Sequence, residues 1–433
     1  MIGGDLLYKD FKYNGGSNDG STLLYSNKNE ENSISLATCV VIILNSALVD
    51  DPFFVPGQML SGFMLTIFVG VFVLILTQLS FHIFVKTWAF NQLNSHVSIW
   101  QSLYGKYSSV IPKALLLLAF ISNSSVSVRD NVDQFHDLFS YFSPDSVKIV
   151  NNDWLIKYLF TFILTIPALL HPRLGKMKIM CAVALTLLLI SLLCEAVLMF
   201  KTIKVDSFDP QKQIRYWSTD FRMMNALFDT FNTVYFSHPF VALISDDLYK
   251  ATRSKITKMT WIISICSFLL LLSGGFFGYF TFFDSSIDDN ILFGYSNTKD
   301  PFLIIAKICC LLKTALANNM FVFIATVSVL GIFTQYNEKL TILRIFVGIV
   351  IWTLVMFINY SGTGLMKLVD LLGGYSFMLL AYFLPSIFFL SMYKFKYPGW
   401  SILCIGVLLV SSVILGWASY CNVGSYIKYL KGE

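Results

Sequence analysis

Two short stretches of the chain gather the side chains that could hold a ligand or a proton. The first reads Asn45-Ser46-Ala47-Leu48-Val49-Asp50-Asp51-Pro52-Phe53-Phe54-Val55-Pro56, two adjacent carboxylates followed by two prolines within an apolar segment. The second reads Asn232-Thr233-Val234-Tyr235-Phe236-Ser237-His238-Pro239, a polar cluster that ends on a proline. A third candidate is Lys313, an ammonium deep inside an apolar run. Carboxylates in such surroundings bind a cation, or exchange a proton because burial favours the neutral form. They can also form a structural set with helix N-termini and a lysine. All three readings stand for Asp50 and Asp51, and Lys313 joins them as a candidate for ion coupling. His238 either titrates near neutral pH or serves as a satisfied polar group ahead of a break. The chain has no Gly-rich phosphate loop, paired-histidine metal site or nucleophile triad, so an enzyme, a cofactor and a metal are not expected.

The surrounding elements are set by composition. Of 433 residues, 56% are hydrophobic and 13% charged, with a mean hydropathy of +0.67. A soluble domain needs about twice that charge to cover its surface. The apolar residues fall into runs near the roughly 20 that match a bilayer core. Eleven segments can be drawn: Ala37–Met59, Phe63–Val85, Val110–Val128, Leu155–Leu170, Ile179–Phe200, Met223–Leu243, Trp261–Phe283, Phe302–Phe333, Ile342–Asn359, Leu368–Met392 and Trp400–Tyr420. The third has the weakest signal, because it runs into Ser122-Asn123-Ser124-Ser125-Val126-Ser127-Val128-Arg129-Asp130. The expectation is an all-α polytopic bundle over 37–420, with a disordered polar tail over 1–36 and a short tail over 421–433. No cleavable signal peptide is expected.

A bilayer core punishes unpaired backbone, so interrupted helices survive only where they line a cavity or are buried in protein. The carboxylates and prolines interrupt the first segment, and Ser237-His238-Pro239 interrupts the sixth. In a bundle of two five-helix repeats these positions are equivalent, and paired interruptions point to the binding site of an inverted-repeat transporter. The plain alternative is two proline kinks with no ligand. Of the other intramembrane charges, Lys113 and Lys307 are expected to snorkel, and Glu195 to reach the interface at the outer end of helix five. Asp229 lies nine residues before His238, about two and a half turns, so it is not its neighbour on one helix.

The net charge of +5 does not imply nucleic acid, since the basic residues sit between apolar runs. Their bias places the N-terminus inside, with Lys201, Lys204, Lys212 and Arg215 against the rule. The eight cysteines read as buried thiols.

The residues also resemble a known family, the amino acid/auxin permeases of the amino acid–polyamine–organocation superfamily. Ser237-His238-Pro239 with Asp247-Leu248 is similar to that family's Cys-His-Pro and Glu-Leu of helix six. Gly278-Tyr279-Phe280-Thr281-Phe282 followed by Ile291-Leu292 resembles its Gly-Tyr-Leu-Thr-Phe end of helix seven. Val369-Asp370-Leu371-Leu372-Gly373-Gly374 with Phe383-Leu384-Pro385-Ser386 is similar to its helix ten. The resemblance implies ten core helices plus one, moving amino acids by alternating access on a sodium or proton gradient. This chain departs at two places. Val49-Asp50-Asp51 stands where relatives carry Gly-Ser-Gly or Gly-Thr-Gly, and Ala315 or Ala317 where sodium-dependent relatives offer a threonine. The expected function is a secondary active amino acid transporter, coupled to protons rather than sodium and favouring cationic amino acids. The alternative is a non-transporting sensor of the same fold. The expected substrate site is Asn45, Val49, Asp50, Asp51, Tyr235, Ser237 and His238, in a plasma or a vacuolar/lysosomal membrane.

Overall fold

A computed structural model of the chain describes residues 33–49, 51–60, 62–91, 95–142, 173–202, 214–217, 221–282, 290–295, 299–333 and 341–430, with isolated positions between 159 and 171. The fourth expected segment and Asp50 therefore lie largely or wholly outside the described residues. Among the described residues, eight helices are long and apolar enough to cross a membrane. They are α3 (Phe63–Asn91), α5 (Val110–Phe142), α6 (Lys178–Thr202), α9 (Arg253–Phe282), α11 (Pro301–Phe333), α12 (Thr341–Tyr360), the pair α13 (Thr363–Met378) and α14 (Leu384–Tyr393), and α15 (Pro398–Leu430). Two further crossings are split. The first consists of α1 (Leu36–Ala47) and α2 (Val55–Met59), the sixth of α7 (Phe221–Tyr235) and α8 (His238–Ser245). The short α4 (His96–Tyr104) and α10 (Ile291–Gly294) lie in connections. No strand is formed among the described residues; Ile34 and Leu248 make one isolated bridge.

The surface carries large exposed apolar side chains on many helices, among them Phe68, Ile75, Leu193, Leu269, Phe346 and Leu409. In water such a surface would aggregate, and in a bilayer it is the lipid contact. Because lipid is as apolar as leucine, close packing and internal hydrogen bonds hold the helices together. The third segment shows this. Its polar stretch continues the helix to Phe142 instead of ending it. Ser124 donates to the Asn318 side-chain Oδ1 at 2.7 Å, Ser122 to Asp370 at 3.1 Å, and the Ser125 backbone carbonyl accepts from Asn359 at 3.1 Å. The polar residues face helices α11, α13 and α12, so they do not break the span. The last helix likewise runs past Tyr420 to Leu430.

The two lysines expected to snorkel each meet a partner within the protein. Lys307 pairs with Asp137 at 2.6 Å, and Lys113 donates to the Gly331 carbonyl. Two of the charges against the orientation rule also have structural partners: Lys201 pairs with Asp300 at 2.8 Å, and Arg215 donates to the Leu60 carbonyl at 3.2 Å.

The broken first crossing is seated on glycines of α9. A Cβ on Gly274 would lie 2.4 Å from the Pro52 carbonyl oxygen, and one on Gly278 would lie 2.4 Å from Cγ of Pro56. Gly62 turns the chain into α3 at φ +142°, a region that side chains rarely enter.

The tenth crossing contains one π turn, Leu379–Phe383, ahead of Pro385. Proline has no N–H to give the preceding turn, and the carbonyls left over are taken from outside. His96 binds the Leu380 carbonyl at 2.9 Å through Nε2, and Ser80 donates to Ala381. A carbonyl only accepts, so Nε2 carries the hydrogen. Burial pushes the His96 imidazole down to about 4, against the hydrogen bond to Leu380, which favours the charged form.

Two outcomes follow from this packing. Gly274→Ala lowers the thermal midpoint of the detergent-solubilised protein, by about 1–3 kcal/mol of overpacking. Gly406→Ala, where nothing lies within 4 Å of the added atom, does not; equal midpoints would refute the close approach. The second outcome concerns acid. With the folded value about 4 and the ordinary value 6.5, the unfolded chain binds more protons between them. Stability held above pH 6.5 is lost as pH falls towards 4, up to about 3 kcal/mol. His96→Gln, which keeps a donor for Leu380, flattens that part of the stability–pH curve. A curve unchanged by the substitution would remove His96 as the cause.

Candidate substrate site at the two helix breaks

The first break begins where the backbone leaves α1. The Leu48 amide still bonds back to the Leu44 carbonyl, but its own φ and ψ of −111° and 88° are not helical. Val49 then donates its N–H to the Asp51 carboxylate at 3.0 Å. Asp51 opens a single 3-10 turn, Asp51–Phe53, and Pro56 lies in the first turn of α2. Proline is tolerated there because the first amides of a helix have no internal partner. The Asp51 carboxylate thus satisfies an amide that the break would otherwise leave open.

The second break lies between α7 and α8. Phe236 and Ser237 are not helical, and the Ser237 amide bonds to the Tyr235 carbonyl at 2.8 Å. Pro239 in the first turn of α8 fixes the restart. α1 contacts both α7 and α8, and Gln58 of α2 donates to Thr230 of α7 at 2.6 Å. The two breaks therefore lie side by side, each with one helix C-terminus and one helix N-terminus. Such an arrangement offers partial negative charge to an amine and partial positive charge to a carboxylate.

Lys313 enters from α11. It is fully buried (0% exposed), and its ammonium donates to the Asn45 carbonyl at 3.0 Å, in the last turn of α1. A cation there is favoured by the negative end of the helix dipole. Asp51 also feels its field, so Lys313, Asn45 and Asp51 form one electrostatic group.

Of the sequence-derived candidates, the structure brings Asn45, Val49 and Asp51 into the first break with Lys313, and Tyr235 and Ser237 into the second. The Asn45 amide lies against the Cys181 thiol, and the Tyr235 hydroxyl is buried with no hydrogen-bond partner among the described residues. Such a group carries a desolvation cost unless a ligand or water meets it. His238 has different neighbours. Its ring stacks on Phe81 at 3.8 Å and 9°, with Phe84, Phe236 and His96 around it. Neither ring nitrogen has a hydrogen-bond partner among the described residues. Asp229 accepts from Asn225 at 3.1 Å and from Asn422 of α15 at 3.4 Å.

Several residues near the site carried no sequence signal strong enough to single them out. Gln78 of α3 donates to Ser264 of α9 at 2.5 Å and to the Thr260 carbonyl at 3.0 Å, and Thr77 shares a hydrogen bond of 3.0 Å with Tyr382. Their partners lie far away in sequence. At the end where the chain enters, Ile34 donates to the Asp247 carbonyl at 2.8 Å and Gly175 to the Asp247 carboxylate at 3.3 Å. Asp247 is the acid of the helix-six resemblance, and here it ties the start of the chain to two loops.

Comparison with known proteins places this geometry. A search against curated proteins matched none. Among solved structures, a substrate-bound, outward-open sodium-coupled sialic acid symporter aligns over 93% of this chain and 94% of its own, with a TM-score of 0.53 at 12% identity. A manganese transporter of Eremococcus coleocola aligns over 90% and 95%, with a TM-score of 0.47 at 11% identity. At such identity the symporter match speaks for the fold, a membrane bundle of five-plus-five inverted repeat with helices one and six broken. The profile of the family described as transmembrane amino acid transporter protein matches residues 34–423. A multi-pass chain with two facing helix breaks, matched by that profile over nearly its whole length, is a membrane transporter and belongs to the transmembrane amino acid transporter family.

Proposed function

We propose that this transporter moves amino acids by alternating access, that protons rather than sodium drive it, and that cationic amino acids are its preferred substrates. The observation that supports this is the Asp51 carboxylate inside the first break, bonded to the Val49 amide. It already takes a backbone donor of the kind that would receive a substrate carboxylate, and it adds a negative charge. An amine or guanidinium is the complementary partner for that charge.

Two further features favour protons over sodium. Lys313 puts an ammonium against an α1 carbonyl, in the electrostatic role that a sodium ion would otherwise fill. Ala315 and Ala317, on the same helix, offer no side-chain oxygen to a metal. A non-transporting sensor is the second reading, favoured by the absence of glycine from Leu48-Val49-Asp50-Asp51.

The experiment is uptake of labelled amino acids into proteoliposomes under a proton gradient or a sodium gradient. Expected is accumulation on the proton gradient, competed best by lysine and arginine. Asp51→Asn keeps an oxygen for Val49 but removes the charge. It should weaken apparent affinity for cationic amino acids on the order of thirtyfold or more while leaving the thermal midpoint near wild type. Asp50→Asn should uncouple or abolish uptake. Sodium-driven accumulation, or cationic uptake unchanged in Asp51→Asn, would overturn the corresponding part. No gradient-driven uptake by folded, inserted protein would favour the sensor.

A further inference from the structure

Glu195 is a buried acid that the two breaks do not explain. It lies on α6, two turns before its end at Thr202, and is fully buried (0% exposed). The position expected from sequence was the membrane interface. Neither carboxylate oxygen has a hydrogen-bond partner among the described residues. The acids Asp51, Asp137, Asp229, Asp247, Asp300 and Asp370 all do.

Its place in the bundle is well defined. One turn earlier on the same face of α6, Ser191 donates to the Ala306 carbonyl of α11 at 2.9 Å. Glu195 therefore belongs to the face packed on the first turns of α11. Tyr295, just after α10, is buried and within the field of the Glu195 carboxylate. Burial chiefly, and that charge with it, push the Tyr295 phenol above its ordinary range, against a hydrogen bond with Thr281.

The charged groups of the packed elements do not neutralise it. On α11, Lys307 is held by Asp137, and Lys313 lies at the Asn45 carbonyl. On α6, Lys201 is held by Asp300. Cys194 and Cys309 are neutral thiols beside it in the sequence and on α11. Further titratable groups on these elements are Lys178 at the opposite end of α6, Cys181 of α6, Cys310 of α11, Cys39 of α1, which lies by Asp247, and Cys266 and Tyr279 of α9, the tyrosine accepting from the Arg215 amide. The basic residues of α9 and Lys176, before α6, lie at the opposite end of those helices. A hard metal ion would need about six oxygen ligands, and no group of three His, Cys, Asp or Glu is gathered among the described residues. A proton needs only the carboxylate itself.

We infer that Glu195 is a proton-binding site of the transport cycle, protonated while Tyr295 and the start of α11 lie over it and deprotonated when they draw away from α6. On opening, the carboxyl O–H bond breaks, the proton passes to entering water, and water solvates the carboxylate left behind. This rests on the reading of the chain as a proton-driven carrier.

The test uses the full-length protein in liposomes and two variants, Glu195→Gln, which mimics the neutral acid, and Glu195→Asp. At neutral pH the wild-type infrared spectrum contains a protonated-carboxyl band that shifts in heavy water and is missing from Glu195→Gln. Wild-type and Gln spectra alike in this region overturn the inference. In uptake assays with a labelled amino acid mixture, Glu195→Gln keeps gradient-free exchange. It loses proton-driven accumulation on the order of tenfold, together with the dependence on external pH, and Glu195→Asp restores both. Wild-type proton-driven accumulation by Glu195→Gln also overturns it. If the wild-type protein moves no amino acid under any gradient, the carrier reading fails, and the transport role with it. The infrared difference still decides whether Glu195 holds a proton.

Discussion

Inside a bilayer a backbone amide or carbonyl has no water to turn to, and the rest of this structure depends on how each broken helix meets that demand. The first break answers with a side chain: Asp51 takes the Val49 amide. The second answers with backbone, a tight turn in which the Ser237 amide bonds to the Tyr235 carbonyl. The tenth crossing answers from two other elements, with His96 and Ser80 capping the carbonyls ahead of Pro385. Arg344 of α12 does the same for the Leu169 and Leu170 carbonyls, at 3.4 and 3.3 Å. The first two repairs are local, and the last two draw separate elements together. The breaks therefore organise the bundle as well as interrupting it.

Close packing follows from the same demand. A break carries an irregular backbone that has to be covered by protein, and side chains stand in the way of a close cover. Gly274 and Gly278 of α9 let the carbonyl of Pro52 and the ring of Pro56 approach to a distance that no Cβ would allow. The glycine of Gly278-Tyr279-Phe280-Thr281-Phe282 is thus explained by what lies against it. The tyrosine of that motif accepts the Arg215 amide at 3.0 Å, tying the loop before α7 to α9.

What could be read from sequence divides along the same line. The prolines and carboxylates of 45–56 and the Ser237-His238-Pro239 cluster marked both breaks, because a helix-breaking residue acts through its own backbone. Pro385 entered the sequence reading only within the helix-ten resemblance, and the π turn ahead of it carried no signal. Side-chain direction was less legible. An apolar run says that a residue lies at membrane depth, not whether it faces lipid or a neighbouring helix. Ser122–Asp130 read as a weak end of a span and is the polar seam between α5 and three other helices. Lys307 read as snorkelling and has Asp137 as its partner, 170 residues away in sequence. Glu195 read as interfacial because it sits near a helix end, while the face it occupies is fixed by α11, which no local pattern could supply.

The charges at the first break constrain how a cycle can run. Asp51 lies in the field of one ammonium, Lys313, and Asp50 precedes it in sequence, so the two carboxylates, when ionised, outnumber that ammonium. An uncompensated charge in a dry site costs several kcal/mol, which either a proton or a cationic substrate removes. If a proton and a cationic substrate were to neutralise the same charge they would compete, and competition for a single site is not symport. A cationic substrate held at Asp51 and a driving proton need separate acids. Asp50, the residue before Asp51 in sequence, or Glu195 on the face of α6 packed on α11, supplies a second acid. Glu195 meets the further requirement that the proton be held and released by the movement of helices, since it lies under the start of α11 and near Tyr295, apart from the broken crossings themselves. On the proposed reading, substrate charge and proton charge are therefore handled on different helices and coupled through α11, which carries Lys313 at one depth and packs over Glu195 at another.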